Sequence, residues 1–466
     1  MSLSVHTSPV KYTETSLPSN FTDAILHIFQ QFGDKLALID PDTRTELRFK
    51  DLQTHIDRIV ANLLSKGYCQ GNRIGTVIGN SIEFLLFVLA CLNINIVVVP
   101  INPASKQGEI QKYKTECQLD CLLNEEDLKE LCYINLKTDL KVPKGSNGLA
   151  LIFFSSGTTG PPKAICHSHR SLVAQLCQTL SMGNSETFPR VTTKDVLHGI
   201  LPYFHFGGLM TVFVMLSAGA TVVINSKWNE DHFLQVLKDY KVTIINIVPP
   251  ILQYLAYHPS LNPSEIETLK RIYVGAAACD PNLMLKVKER LGVEIIQLFG
   301  MTEAGLALLM TPTNCDRLDI VGVPLPGVEI RIGEKSELWV KAPTLMEGYE
   351  GYFATGDLAT VSSDGLFSIT GRKKDTFKVR GWQVNPWEIE ETIKKLPGIV
   401  DCTVIGCPHP VDGTRPKAFF VGTADPQIVL DHVKCELISY KQLTEAVRVD
   451  CLPRTASGKI MRHELH

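Results

Sequence analysis

The segment LIFFSSGTTGPPKAICHSH, residues 151–169, holds four hydroxyl side chains, two glycines and a lysine within nine positions. An apolar run, Leu149 to Phe154, ends where the hydroxyls begin, so the loop is expected to follow a strand. Backbone N–H groups and the hydroxyls of Ser155, Ser156, Thr158 and Thr159 could form a concave array of the kind that binds anions, above all phosphates. Gly157 and Gly160 let a ligand approach the backbone without a Cβ in the way. Lys163 adds a compact positive charge on a mobile stem. The loop is not of the Walker A type: Pro162 stands where the second glycine would be, and Ala164 follows the lysine. A Gly/Ser/Thr cluster alone also occurs as a plain surface loop, so the phosphate reading needs partners elsewhere. His167 and His169 form a His-x-His pair at what reads as a helix start, with no third ligand evident, so no metal is expected there.

The partners come as six further segments in order: LPYFHFGGL (201–209), YVGAAACD (273–280), IIQLFGMTEAG (295–305), YFATGDLA (352–359), GRKKDTFKVRGWQVNPWEIE (371–390) and PRTASGKIMRHEL (453–465). With SSGTTGPPK they resemble the motifs of the adenylate-forming superfamily, which includes acyl-CoA synthetases, plant 4-coumarate–CoA ligases, insect luciferases and peptide-synthetase adenylation domains. The motifs are most similar to those of 4-coumarate–CoA ligase-like acyl-CoA synthetases. The resemblance runs from about residue 20 to the end and is strongest from residue 150 onward.

That resemblance implies a reaction in two halves. A carboxylate attacks the α-phosphorus of ATP, giving an acyl-adenylate and pyrophosphate; a thiol, usually of coenzyme A, then displaces AMP. A carboxylate is a poor electrophile, and joining it to AMP supplies a good leaving group. The protein must shield two anions from each other and stabilise charge on phosphorus. Carried over position by position, Lys459 bridges the carboxylate and the α-phosphate, Thr302 lies near that phosphate, and Glu303 holds Mg²⁺, which takes hard oxygens. Asp357 and Arg372 resemble the ribose partners. Gly275, Ala276 and Ala277 match the turn against the adenine, in a site that also takes in Gln297, Phe299 and Gly300. His205 matches the histidine that lines the acyl tunnel or orients the carboxylate. Lys374 matches a hinge, while Lys378 and Gln383 match AMP contacts. Arg380, Gly381 and Trp382 match the stretch beside the pantetheine tunnel, and Lys227 matches a lysine on a coenzyme A phosphate. The implied co-substrates are ATP with Mg²⁺, coenzyme A and a small carboxylic acid. Two alternatives stay open: another acceptor, either a carrier protein or oxygen as in luciferases, and a catalytically inactive homologue that binds a nucleotide or lipid.

The sequence departs from the plant coumarate ligases at Gly207, where they carry a tyrosine that packs on the phenolic ring, so a hydroxycinnamate is not favoured. Leu298 stands where many relatives have glycine beside the acyl pocket, and Phe299 replaces a common tyrosine. Gly207 opens space and Leu298 takes it away, which leaves the pocket unsized. The stretch 103–147 and the small domain look short for the family.

These residues need elements to position them. Helical and strand patterns alternate, as in HIDRIVANLLSKGY then NRIGTVIGN, WNEDHFLQVLKDYK then VTIINIV, and NLMLKVKERLG then VEIIQLFG. The pattern predicts an α/β fold: a large N-terminal domain of parallel sheets covered by helices, a small β-unit at about 320–373, and a small mobile α+β C-terminal domain. The expected boundary lies at Lys374, giving domains 1–373 and 374–466, with ligands beyond the carboxyl ends of strands. FLLFVLACLNINIVVVP, residues 84–100, is too short and too interrupted to span a membrane and reads as a buried helix running into a buried strand. A net charge of −3 gives no sign of a nucleic-acid partner. The 13 cysteines contain no CxxC and read as free thiols of a reducing compartment. The N-terminus lacks the apolar core of a signal peptide and the C-terminus is not of the Ser-Lys-Leu type, so a cytoplasmic location is expected.

Overall fold

The computed structural model describes residues 4–134, 148–155, 163–226, 228–380, 382–410, 412–455 and 458–466. Within it, the alternating patterns become alternating elements. Helix Phe49–Ser65 buries Leu52, Ile56, Ile59, Val60 and Leu63, one stripe at helical spacing, and strand Arg73–Val77 follows. Helix Glu230–Asp239 precedes strand Ile244–Ile247, and helix Pro281–Leu291 precedes strand Glu294–Met301. The oily stretch divides as expected. Helix Ile82–Asn93, capped by Ser81 Oγ accepting from the Phe84 N–H, is buried almost all round, and the strand Val97–Ile101 beside it is wholly buried.

Two sheets carry the parallel core. In the larger, of nine strands, neighbours run parallel from Leu36–Asp40 through Thr221–Ile224, Val196–Gly199, Ile244–Ile247 and Arg271–Val274 to Glu294–Met301, with antiparallel strands at both edges. In the smaller, strands Cys121–Leu123, Arg73–Val77, Val97–Ile101 and Leu149–Ser155 run parallel, and Lys163–Ser168 returns antiparallel. The serine- and glycine-rich loop thus joins the last two strands of this sheet, not a strand to a helix.

The expected β-unit is a five-stranded antiparallel sheet, Glu329–Ile332, Glu337–Lys341, Phe353–Val361 and Phe367–Arg372, completed by Val5–Thr7 from the N-terminus. The three-residue terminal strand carries no local pattern of its own. It forms because Glu329–Ile332 offers an unpaired edge. Toward the C-terminus, strands Ile399–His409, Gly413–Gly422 and Glu445–Arg448 pack with helices Pro386–Lys394 and Pro426–Glu436 around a separate core that includes Ile389, Val404, Phe420 and Val433. No helix among the described residues is long and apolar enough to cross a membrane. The thirteen cysteines are all free.

Candidate active site

Cross-strand register brings the first two groups together. Asp357 and Arg372 face each other on adjacent antiparallel strands, and Arg372 Nε donates to Asp357 Oδ1 at 2.8 Å. Asp357 is 3% exposed, and its Oδ2 has no hydrogen-bond partner among the described residues. Burial raises its carboxyl above the usual carboxylate range, and the guanidinium of Arg372 opposes the rise. A buried carboxylate with one oxygen anchored and one unsatisfied suits a ligand that donates hydroxyl protons.

Lys459 arrives from the other end of the chain on a tight turn. The Thr455 N–H donates to the Lys459 carbonyl at 2.8 Å, the Gly458 N–H donates to the Thr455 carbonyl at 2.9 Å, and Arg454 bridges to Ile460. Gly458 adopts φ +81°, where a side chain would be strained, and a Cβ there would lie 3.2 Å from Pro250. The turn therefore sits against the start of helix Pro249–Tyr257. Desolvation, then the charge of Arg372, lowers the Lys459 ammonium from its ordinary value, while Glu303 and Asp357 act the other way. His205, the N-cap of helix Phe206–Ser217, is pushed down to about 4 by burial and then by Lys459, so its imidazole is neutral at pH 7. Its Nε2 has no partner among the described residues. Lys374 is lowered by burial and then by Arg372, with Asp357 opposing. Lys459, Glu303, Asp357, Arg372, Lys374 and His205 thus share one electrostatic neighbourhood although they span 255 positions, from 205 to 459 counted inclusively.

Two turns at strand ends shape its wall. A Cβ on Gly275 would stand 2.9 Å from the Leu298 carbonyl, and Ala276 carries φ +68°, unusual for a residue with a side chain. Gly300, in the irregular register between Phe299 and Met301, would clash with the Leu306 carbonyl at 2.3 Å. Ala277 follows the first turn, and Phe299 packs at the edge of the main core. The turn at Thr302 and Glu303 is held from outside: His167 Nε2 lies 2.7 Å from the Thr302 carbonyl, and the Met346 N–H donates to the Glu303 carbonyl at 2.8 Å.

Several expectations meet a different arrangement. The carboxamide nitrogen of Gln297 donates to the carbonyls of Leu318 and Ile320 and so braces the strand. His167 lies in strand Lys163–Ser168, and only His169 opens the following helix. The sequence missed His167's contact with Thr302 because that contact crosses 135 positions. His169 Nδ1 accepts from the Phe21 N–H at 3.1 Å. Lys378 and Gln383 face each other on the hairpin Phe377–Val379/Trp382–Val384, where Gln383 donates to Thr376 Oγ1. Arg380, in the left-handed region, ion-pairs with the buried Asp412. Trp382 is 63% exposed and stacks on Tyr440. Lys163 opens its strand, exposed. Ser156, Gly157, Thr158, Thr159, Gly160, Lys227 and Gly381 lie outside the described residues, as does the side chain of Ser155.

A cavity of about 70 Å³ opens between the helices His169–Gly183 and Phe206–Ser217 and the strands Glu294–Met301 and Gly305–Met310. Its walls are mainly Met182, Val214, Met215, Leu298, Leu306 and Met310, with Gln175, Gln178, Thr211 and Asn246 among them and no charged side chain among the described residues.

Comparison with known proteins finds matches along most of the chain. Residues 27–350 match the AMP-binding enzyme family and residues 388–459 match the AMP-binding enzyme C-terminal domain. The 4-coumarate–CoA ligase-like protein 6 of Arabidopsis thaliana is 27% identical, with 95% of this chain and 90% of that one aligned. ATP-bound MatB from Rhodopseudomonas palustris superposes with a TM-score of 0.87 at 25% identity, covering 96% of this chain and 98% of that one. The amide bond synthetase McbA from Marinactinospora thermotolerans shares the fold, with a TM-score of 0.84 at 22% identity over 96% of this chain and 99% of that one.

Proposed function

The chain belongs to the AMP-binding enzyme family, within the adenylate-forming superfamily, and we propose that it is an AMP-forming carboxylic acid–CoA ligase. The observation that carries the proposal is the convergence of Lys459 on Glu303, Asp357, Arg372 and the neutral His205. In this reading Asp357 accepts from the ribose hydroxyls, with Arg372 holding its other oxygen. The ammonium of Lys459 neutralises the acid's carboxylate and the α-phosphate together, so that two anions approach and the charge developing on phosphorus is met by a fixed cation. Thr302 adds a hydroxyl beside that phosphate. His205, uncharged, lines the path of the acid without competing with Lys459 for the carboxylate. Glu303, a hard-oxygen donor with no hydrogen bond to its carboxylate among the described residues, would hold Mg²⁺, which would supply positive charge to shield the phosphates.

The serine- and glycine-rich loop would cradle the β- and γ-phosphates. The thioester step assigns coenzyme A to the side of Arg380, Gly381, Trp382 and Lys227, with residues 374–466 turning about Lys374 between the half-reactions. The cavity lined by Leu298, Leu306 and Met310 would take the tail of the acid. The test is pyrophosphate release from ATP and Mg²⁺ across a panel of short, medium, long-chain and aromatic acids, with and without coenzyme A and with an amine as competing acceptor. Acid-dependent release, with thioester formed only when coenzyme A is present, is expected. Release with amide or no thioester would move the acceptor elsewhere. Nucleotide binding without release for any acid would leave an inactive binding protein.

A further inference from the structure

One buried histidine stands outside the charged cluster and touches two of the segments that build it. His167 is fully buried in strand Lys163–Ser168, the strand that leaves the serine- and glycine-rich loop. Its Nε2 lies 2.7 Å from the Thr302 carbonyl. Its ring stacks on Phe206, with centroids 4.3 Å apart and 29° between the planes. Phe206 follows His205 and opens the helix that His205 caps. Burial lowers the imidazole to about 4, so the ring is neutral at pH 7. A carbonyl can only accept, so the neutral ring carries its proton on Nε2 and donates it to Thr302.

Three consecutive carbonyls of the turn are held from outside. Thr302 accepts from His167, Glu303 accepts from the Met346 N–H at 2.8 Å, and Ala304 accepts from Thr344 Oγ1 at 2.7 Å. The Glu347 N–H donates at 2.8 Å to the carbonyl of Cys166, the residue before His167. The turn, in the larger sheet, and strand Lys163–Ser168, in the smaller, are thus joined twice. One link is the backbone of Met346 and Glu347; the other is the imidazole. They restrain different torsions. The Thr302 carbonyl belongs to the planar peptide between Thr302 and Glu303. Holding it restrains ψ of Thr302 and φ of Glu303, which set how the hydroxyl and the carboxylate are aimed relative to each other.

Resting on the ligase reading above, we infer that His167 is a positioning residue for the adenylation half-reaction. From the strand that also carries Lys163, its Nε2–H pins the peptide between the two side chains assigned to the α-phosphate and Mg²⁺. It touches neither ATP nor the acid. It acts on the geometry of the groups that do, and small errors of aim there are costly.

The test uses His167→Leu, which keeps an apolar contact with Phe206 but has no donor, and His167→Gln, whose Nε2 can reach the same carbonyl. Pyrophosphate release is measured at varied ATP with the acid that the parent turns over fastest. Thioester formation is measured separately from the synthetic acyl-adenylate of that acid and coenzyme A. His167→Leu is expected to lower kcat for release by roughly ten-fold, the scale of one buried hydrogen bond. KM for ATP and the thioester step should hardly move, and His167→Gln should recover most of the loss. If His167→Leu does not fold, His167→Asn, whose shorter amide cannot reach the carbonyl, takes its place in the comparison with Gln. Equal loss in the donor and non-donor variants, equal slowing of both half-reactions, or full kcat without the donor would overturn the inference and leave the ligase reading intact. No release by the parent with any acid would instead overturn the ligase reading beneath it.

Discussion

The proposed nucleotide side of the site and the cavity proposed for the acid's tail are built by opposite means. The first gathers Asp357, Arg372, Glu303, Lys374 and Lys459 from separate strands and turns, and each of these charges has an opposite charge close by. The second is enclosed by two helices and two strands of the main core and contains no charge among its described lining. Charge that must neutralise phosphate cannot be replaced without losing the reaction. An uncharged wall can be recut by any residue of suitable volume. Reaction and substrate choice should therefore break separately.

The largest break is expected at Lys459. Removing a preorganised cation from a developing oxyanion costs of order 10²–10³ in rate. Lys459→Ala should lose adenylate formation to that extent while keeping ATP binding by calorimetry, since Asp357 and Arg372 still hold each other. Comparable loss of ATP affinity would mean that Lys459 is part of the nucleotide pocket and not of the chemistry.

Asp357→Asn comes next. The amide keeps the volume but can no longer balance Arg372, whose partner it is. Leaving a partly buried charge uncompensated should raise KM for ATP by roughly ten- to a hundred-fold, from 1.5–3 kcal/mol for a charged hydrogen bond. The preference among acids should not move. A changed acid preference would join the two regions that the comparison separates.

Leu298→Ala should do the reverse. Leu298 lines the cavity, and the leucine fills space where smaller side chains would leave room. Trimming it should admit bulkier acids with a several-fold shift in kcat/KM among acids and unchanged KM for ATP, with a stability loss of about 2–4 kcal/mol or less. A shift in ATP affinity would show that the strand Glu294–Met301 transmits changes from the cavity to the turn at Thr302.

The same contrast explains what could be read in advance. Chemistry of this kind tolerates few residue types, so SSGTTGPPK, Asp357 and Lys459 stand out as strings, and alternating patterns placed their helices and strands. Gln175 gave no such signal. It sits on a helix with ordinary spacing, and its carboxamide oxygen accepts from the N–H of Leu306, 131 positions away. Gln297 makes a contact its motif did not signal: its amide nitrogen ties Leu318 and Ile320. Whether a polar side chain is spent on the fold or left for a ligand depends on partners distant in sequence. The strand Val5–Thr7 was hidden for the same reason, since its only warrant is the edge of Glu329–Ile332.

The finest separation is in pH dependence. In the proposed reaction Lys459 works as an ammonium, and its proton is lost at lower pH than that of an ordinary lysine because burial and Arg372 disfavour the charge. The rate of adenylate formation should therefore fall on a basic limb that begins below the usual lysine range. In Lys459→Arg, whose guanidinium stays charged, the residual activity should lack that limb. His205, neutral down to about 4, contributes no limb near neutrality. Tyr273 is the one ionisable side chain in the described cavity lining, and burial pushes its phenol further up. The ratio of kcat/KM between two acids should then stay flat across the range in which the rate itself falls. Measuring both acids at each pH reads the two regions in one experiment. A ratio that follows the basic limb would place Lys459, or a group titrating with it, in contact with the acid's tail, and the division between charged machinery and uncharged wall would not hold.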